Sequence, residues 1–322
     1  MTQTVQFARV GGPDVLTMVT TAPRAPGPGE VLLRQTAVGL NFIDTYHRSG
    51  MYQVALPSGL GLEAAGVVEA VGAGVTLRPG TRVGYCWGPI GAYATHRVIA
   101  AASVLALPDG VSDETAAAAL LKGCTAEFLI ERCAKVQPGQ WVLVPAAAGG
   151  VGLLLVQWLK HIGAKVIAVA GSPEKVAMAM AHGADHGFVQ DDNMATQVRD
   201  VTDGRGVEVV LDGVGKATFD ASIASLARRG LLVSFGNASG AVGPVDFGIL
   251  ARNGSLFVTR ATMFDYYLGR GDIERHGGRV LELIASGVLT INIDQRYVLK
   301  DAAQAHRDLE ARRTTGSTVL VP

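Results

Sequence analysis

Val142-Leu143-Val144-Pro145-Ala146-Ala147-Ala148-Gly149-Gly150-Val151-Gly152 runs without a break into the apolar stretch Leu153 to Leu159. An apolar strand, a turn of small residues and a helix, in that order, build a socket for a diphosphate, because the first N–H groups of the helix have no intrahelical partner. Aligned on Gly149 and Gly152, the turn follows G-x-G-x-x-G with Ala147 in the first position. Gly149 lets the backbone approach a pyrophosphate, and Gly152 lets the helix pack closely on the strand. The expected cargo is a dinucleotide, held at Ala148, Gly149, Gly150 and Val151.

Outward from this turn, strand and helix patterns alternate. Strands are predicted at Trp141 to Val144, Val166 to Ala170, His186 to Val189, Val207 to Leu211, Leu231 to Phe235 and Ser255 to Arg260. Helices are predicted between most of them: Gly150 to His161, Pro173 to Ala181, Asn193 to Thr202 and Lys216 to Arg228. Gly163, Gly183 and Gly230 stand where helices end. The pattern is an α/β, doubly wound domain with a parallel six-stranded sheet. Just before it, Asp113-Glu114 opens an Ala-rich helix through Leu121, and a second helical stretch covers Thr125 to Cys133.

The first third has a different texture, with short alternating runs such as Val31-Leu32-Leu33 and Gly66-Val67-Val68 set off by Pro28-Gly29 and Pro79-Gly80. Such punctuation marks a β-rich domain. After Arg260 come a helical stretch at Asp272 to Ala285, a strand near Asp294 to Tyr297, a helix at Asp301 to Arg313 and a closing strand at Ser317 to Val321. That tail is too short for a third domain. The expected division is a β-rich domain at 1–124 completed by 265–322, and a dinucleotide-binding domain at 125–264.

Composition narrows the functional classes. With 48% hydrophobic and 17% charged residues the chain is globular, and 28 basic against 28 acidic residues leave no net field to favour nucleic acid or an acidic membrane. No apolar run approaches the ~18 residues needed to cross a bilayer, and Met1 to Val10 has no apolar signal core, so a cytoplasmic protein is expected. Cys86, Cys124 and Cys133 are an odd set without C-x-x-C spacing, which argues against disulfides and a cysteine-rich zinc site. The seven histidines are scattered and include no H-E-x-x-H, so no metal site is predicted.

The choice of dinucleotide turns on the end of the second strand. A carboxylate about 20 residues past the glycines would bind the ribose 2′-hydroxyl of NAD. Here that tip reads Ala170-Gly171-Ser172-Pro173-Glu174-Lys175. Without an acid at Gly171 or Ser172, a 2′-phosphate is not repelled, and Ser172 and Lys175 can hold it. NADPH is therefore expected over NADH.

Several segments together resemble one family. Asn41-Phe42-Ile43-Asp44-Thr45-Tyr46, Leu56 to Gly66, Ala146 to Gly152, Val233-Ser234-Phe235-Gly236-Asn237 and Gly254-Ser255-Leu256 are similar to the quinone oxidoreductases. These form the zeta-crystallin-like, zinc-free branch of the medium-chain dehydrogenase/reductases. The resemblance covers essentially the whole chain and implies a Rossmann domain beside a GroES-like catalytic domain. Zinc-dependent relatives carry a cysteine near position 41 and a Gly-His-Glu segment; here Asn41 and Gly61-Leu62-Glu63 stand in those places. No tetrahedral zinc site is then expected.

The resemblance further implies that NADPH reduces a quinone in an interdomain cleft, with Asn41 and Tyr46 beside the nicotinamide and Tyr52 and Arg260 as wall and charge-stabilising residues. Read from local pattern alone, Asn41 also suits a helix N-cap, and Tyr46 and Tyr52 suit packing aromatics. Carried over for cofactor binding are Lys122, Thr125, Phe235, Asn237 and Arg312. Relatives that stack a tyrosine on the adenosine, followed by a base, would place them at Gln190 and Asp191, which weakens that pocket and softens the preference for NADPH. A homodimer paired through the edge strand 255–260 is implied as well. The alternatives are an enone or 2-alkenal reductase, and a non-catalytic crystallin-like or RNA-binding NADPH protein; the balanced charge argues against the last.

Overall fold

The computed structural model describes residues 1–322, and the chain forms two compact units, Cys124–Tyr266 and Met1–Gly123 joined by Tyr267–Pro322. No helix is long and apolar enough to cross a membrane. In the Cys124–Tyr266 unit, six strands form one sheet in the order His186–Val189, Lys165–Ala170, Trp141–Pro145, Val207–Asp212, Leu226–Ser234 and Phe257–Arg260. Every pairing is parallel. The strand order reverses between Trp141–Pro145 and Val207–Asp212, and in such a sheet the crevice beyond the carboxyl ends of those two strands is where ligands sit.

Burial drives this layering. Leu143, Ile167, Val169, Val210 and Leu232 are sealed under Met194, Val198, Ile223 and Leu256. The helix Gly150–His161 buries an unbroken run from Gly152 to Leu159, including Trp158, so it is apolar nearly all round. Two expectations are corrected here. The helix expected to reach Arg228 spans Phe219–Ser225, and the following strand begins at Leu226 instead of Leu231. Leu226 is 1% exposed and pairs with Val207, while the next pairing is Val209 with Leu231. A bulge carrying Arg229 at φ 59 absorbs the difference. Likewise, the helices expected on either side of Lys122 are one, Asp113–Glu127, which passes into a π turn at Phe128–Cys133.

The other unit is built on a seven-stranded sheet in which Glu30–Leu40 is central. It pairs with Ala64–Val71, with His96–Ala100 and with the closing strand Ser317–Val321, all antiparallel. Thr318 lies opposite Leu40, so the end of the chain secures the residue just before Asn41. A smaller sheet holds Thr2–Phe7 between Thr17–Thr21 and Ser58–Gly59.

Candidate active site

At the carboxyl end of the parallel sheet, Ala146 turns out of the strand at φ 54, a left-handed conformation that strains any residue with a side chain. The chain thus makes its tight turn one position earlier than the glycine pattern implies, on an alanine. Gly149 is the extended N-cap of the helix Gly150–His161. Gly152 explains itself by distance: a Cβ there would lie 2.4 Å from the Ala146 carbonyl oxygen and 2.7 Å from the Ala147 carbonyl. Gly171 follows the next strand and has open space on the side where a Cβ would point. Ser172 caps the helix Pro173–Ala181 and accepts from the Lys175 backbone at 3.4 Å. A hydrogen bond from Ser172 also holds the exposed Glu174 carboxyl below its ordinary range, an acid beside the expected 2′-phosphate position.

Beyond Val207–Asp212, the buried Asp212 carboxylate organises the loop. Its Oδ1 accepts from the backbone of Val214 and Gly215 at 2.7 and 3.1 Å, and its Oδ2 from the hydroxyls of Thr218 and Ser222 at 2.7 and 2.8 Å. Four donors saturate it, so the carboxylate is a fixed brace. Gly213 and Gly236 let this loop lie against the next: a Cβ on Gly236 would stand 2.3 Å from the Gly213 oxygen, and one on Gly213 2.8 Å from the Phe235 ring. Phe235 and Asn237 therefore share this sheet end with Ala148 to Val151, Gly171, Ser172 and Lys175. Gln190, exposed, follows the outermost strand and donates its backbone N–H to Ala170. Arg260 ends the opposite edge strand, exposed, with Nη1 donating to the Ser234 and Ala261 carbonyls. Thr125 belongs to this unit but sits on the helix Asp113–Glu127.

In the other unit, Asn41 is indeed the N-cap of a helix, Phe42–Ser49. Its backbone N–H donates to Asp44 Oδ2 at 2.9 Å, and its side-chain Nδ2 donates to Glu63 Oε2 at 2.8 Å. Glu63 is fully buried; its Oε1 accepts from the Leu121 backbone at 2.6 Å, and Lys122 Nζ lies 3.5 Å from its Oε2. Burial raises the Glu63 pKa, opposed chiefly by the Lys122 charge. Tyr46 is buried and meets Tyr52 edge-on at 5.3 Å, which is the packing arrangement local pattern allowed. Arg312, exposed at φ 59, follows the helix Ala302–Glu310 and is not part of this group.

A second buried group runs from the same helix. Tyr93 donates to Asp44 Oδ2 at 3.0 Å, and its oxygen lies 3.1 Å from His306 Nε2. Arg48 Nη1 is 3.2 Å from His306 Nδ1 and forms a fork with Glu310 at 3.0 and 2.6 Å. Arg48 only donates, so His306 accepts at Nδ1 and donates from Nε2 to Tyr93. This neutral tautomer fits a His306 pKa pulled down to about 3 by burial and by Arg48. Burial likewise pushes Asp44 up to about 7, and the nearby Glu63 adds to the rise.

Glu63, Asp44 and Asp212 are buried carboxylates that local pattern did not single out, each with built partners within its own unit. A charged residue embedded in Leu60-Gly61-Leu62-Glu63-Ala64-Ala65 was the available signal, since a carboxylate in an apolar strand needs built partners. His, Cys, Asp and Glu nowhere gather in threes that would hold a metal ion.

Comparison with known proteins places this architecture. Residues 150–286 match the zinc-binding dehydrogenase family and residues 27–109 the alcohol dehydrogenase GroES-like domain. The chain is 48% identical to a quinone oxidoreductase of Pseudomonas aeruginosa, covering 100% of both. It is 39% identical to a 2-haloacrylate reductase of a Burkholderia species, covering 97% of this chain and 96% of that one. Among solved structures, an Escherichia coli quinone oxidoreductase complexed with NADPH superposes with a TM-score of 0.97 at 42% identity, covering 99% of this chain and 100% of that one. The chain belongs to the quinone oxidoreductase family of medium-chain dehydrogenase/reductases.

Proposed function

We propose that this protein uses NADPH to reduce quinones. The observation that carries the reading is its end-to-end similarity to quinone oxidoreductases, joined to the amide of Asn41 and the aliphatic Leu62 in the two positions where a thiolate and an imidazole would be needed to hold zinc. We assign the cofactor to Cys124–Tyr266 and catalysis to the other unit. Bound NADPH supplies the hydride.

The chain supplies placement. The N–H groups opening Gly150–His161 bind the diphosphate, and the close approach at Gly152 fixes where they stand. Ser172 and Lys175 hold the 2′-phosphate, with Arg312 contributing charge. Glu174 and Asp191 oppose that charge, so the preference over NADH is moderate. Phe235 and Asn237, on loops braced by Asp212, meet the nicotinamide; Thr125 and Gln190 complete the cofactor contacts. Asn41, Tyr46 and Tyr52 face the nicotinamide and quinone, and Arg260 steadies developing negative charge. The 39% identity to a 2-haloacrylate reductase keeps reduction of a conjugated carbon–carbon double bond as the second reading.

A substrate panel tests both. NADPH oxidation should require added benzoquinone or naphthoquinone, run faster than with 2-alkenals and persist under a strong chelator. Turnover confined to alkenals would replace the first reading with the second. In the same panel Lys175→Ala should raise KM for NADPH roughly tenfold, with little change for NADH; equal losses would remove the 2′-phosphate assignment.

The three free cysteines suit a reducing compartment, and the cytoplasm is the proposed setting. A homodimer is proposed through Phe257–Arg260. That strand pairs on one side only, with Leu226–Ser234, while Phe257 is 61% exposed, Val258 40% and nearby Phe247 80%. An open apolar edge invites a second strand across a two-fold axis. Sedimentation at micromolar concentration should give a dimer, and Phe257→Lys should give a monomer; a monomeric unmodified protein would refute the assembly.

A further inference from the structure

Lys122 carries an unmet demand. Its side chain is 7% exposed, its nearest partner is Glu63 Oε2 at 3.5 Å, and its ammonium makes no hydrogen bond. Glu63 balances the charge, but a buried ammonium has three N–H donors, and leaving them idle is unfavourable unless a ligand brings an acceptor.

A second donor stands beside it. Asn41 Nδ2 reaches the same atom, Glu63 Oε2, at 2.8 Å, so the amide nitrogen and the ammonium are grouped around one oxygen. Only one of the two amide N–H bonds is used there. The carboxylate itself cannot swing away. Its other oxygen accepts from the Leu121 backbone at 2.6 Å. Its Oε2 packs against Gly39, where a Cβ would stand 2.3 Å from Oε2 and 2.2 Å from the Ala117 carbonyl oxygen. The cradle exists because residue 39 has no side chain.

We infer that Asn41 and Lys122, grouped by Glu63, form a two-donor seat for a single carbonyl oxygen, with Glu63 as the positioning residue. The inference rests on the NADPH:quinone reading above. A carbonyl oxygen reaches this protein from two sources, the conjugated carbonyl of the substrate or the carboxamide of the nicotinamide. In the first case the seat takes up charge during reduction. Hydride from the reduced nicotinamide forms one new bond to the acceptor, the carbonyl π pair moves onto the seated oxygen, and water supplies its proton as NADP⁺ is left behind. Both donors act by hydrogen bonding alone and keep their protons.

The test uses Glu63→Gln combined with Lys122→Met, which removes both charges together and leaves no unpaired buried ion. Three quantities are read: melting temperature, NADPH affinity by fluorescence, and kcat and KM with 1,4-benzoquinone. If the substrate oxygen is seated, kcat/KM falls about 100-fold with NADPH affinity unchanged. If the carboxamide is seated, the Kd for NADPH rises about tenfold. A folded double variant with wild-type values for both overturns the seat, and a variant that loses only melting temperature assigns Glu63 a purely structural role. Should it fail to fold, Glu63→Asp keeps the charge while drawing the carboxylate back by one methylene, and the same readings decide. Unmodified protein is assayed alongside. Lack of quinone turnover there refutes the parent reading, and the NADPH affinities of the variants still decide the seat.

Discussion

Gly152→Ala should abolish NADPH binding and lower the melting temperature of the Cys124–Tyr266 unit. The new Cβ would stand 2.4 Å from the Ala146 oxygen and 2.7 Å from the Ala147 carbonyl carbon and oxygen. All three are backbone atoms of a turn already strained at Ala146, so no side chain can swing aside. The helix Gly150–His161 must therefore lift off the sheet. That helix is the buried layer on its side, with Leu155, Val156, Trp158 and Leu159 fully enclosed, so the displacement loosens packing as well as the N–H cluster meant for the diphosphate. Kd for NADPH should rise at least about 100-fold, near 3 kcal/mol, and saturating NADPH should no longer raise the melting temperature. Gly149→Ala is the control. Its Cβ would lie 3.3 Å from the Ala146 oxygen, a contact that small shifts relieve, so the fold should hold while NADPH binding weakens about tenfold because the backbone can no longer approach the diphosphate. A Gly152→Ala protein that binds NADPH within about threefold of wild type would show that close helix–strand approach is not what builds the socket.

The contrast between these two glycines shows how far the sequence could be read. Spacing located Gly149 and Gly152 because a diphosphate turn constrains neighbours along the chain. The parallel sheet was legible for the same reason, through apolar strand runs and glycine stops. Reading failed where a distant partner decides. Leu226 looks like the end of a helix until Val207 draws it into the sheet. Ala147 looked like the altered turn position, whereas the left-handed residue is Ala146, set by the backbone and not by side-chain type. At Asn41 the N-cap reading holds, since it opens the helix Phe42–Ser49, while its amide reaches Glu63, a partner that no local pattern names. Glu63, Asp44, Tyr93 and His306 were invisible as a group because they are scattered from the first helix to the last, and only the sheet and the C-terminal helix bring them together.

That buried group gives Asp44→Asn a large and pH-dependent effect. Asp44 is completely buried, and burial lifts its pKa from the ordinary 3.8 to about 7. The folded protein thus holds a proton that the unfolded chain releases near pH 4. Between those values the native state binds more protons, so stability falls as pH rises through the window and the full penalty is present above pH 7. The shift corresponds to roughly 4–5 kcal/mol. Asparagine keeps the shape and an acceptor for the Asn41 N–H and the Tyr93 hydroxyl, and it cannot ionise. Its amide nitrogen would take the place of Asp44 Oδ1, which has no hydrogen-bond partner, and that offsets about 1 kcal/mol of the gain. At pH 5 the two proteins should melt close together. At pH 8 the variant should melt higher by roughly 7–13 °C, taking about 2–4 °C per kcal/mol for a unit of this size. Melting curves of both proteins from pH 4.5 to 8.5 supply the comparison. A constant difference across that range would mean that Asp44 is already ionised in the folded state at low pH, stabilised by Tyr93 and the Asn41 N–H more strongly than burial opposes it.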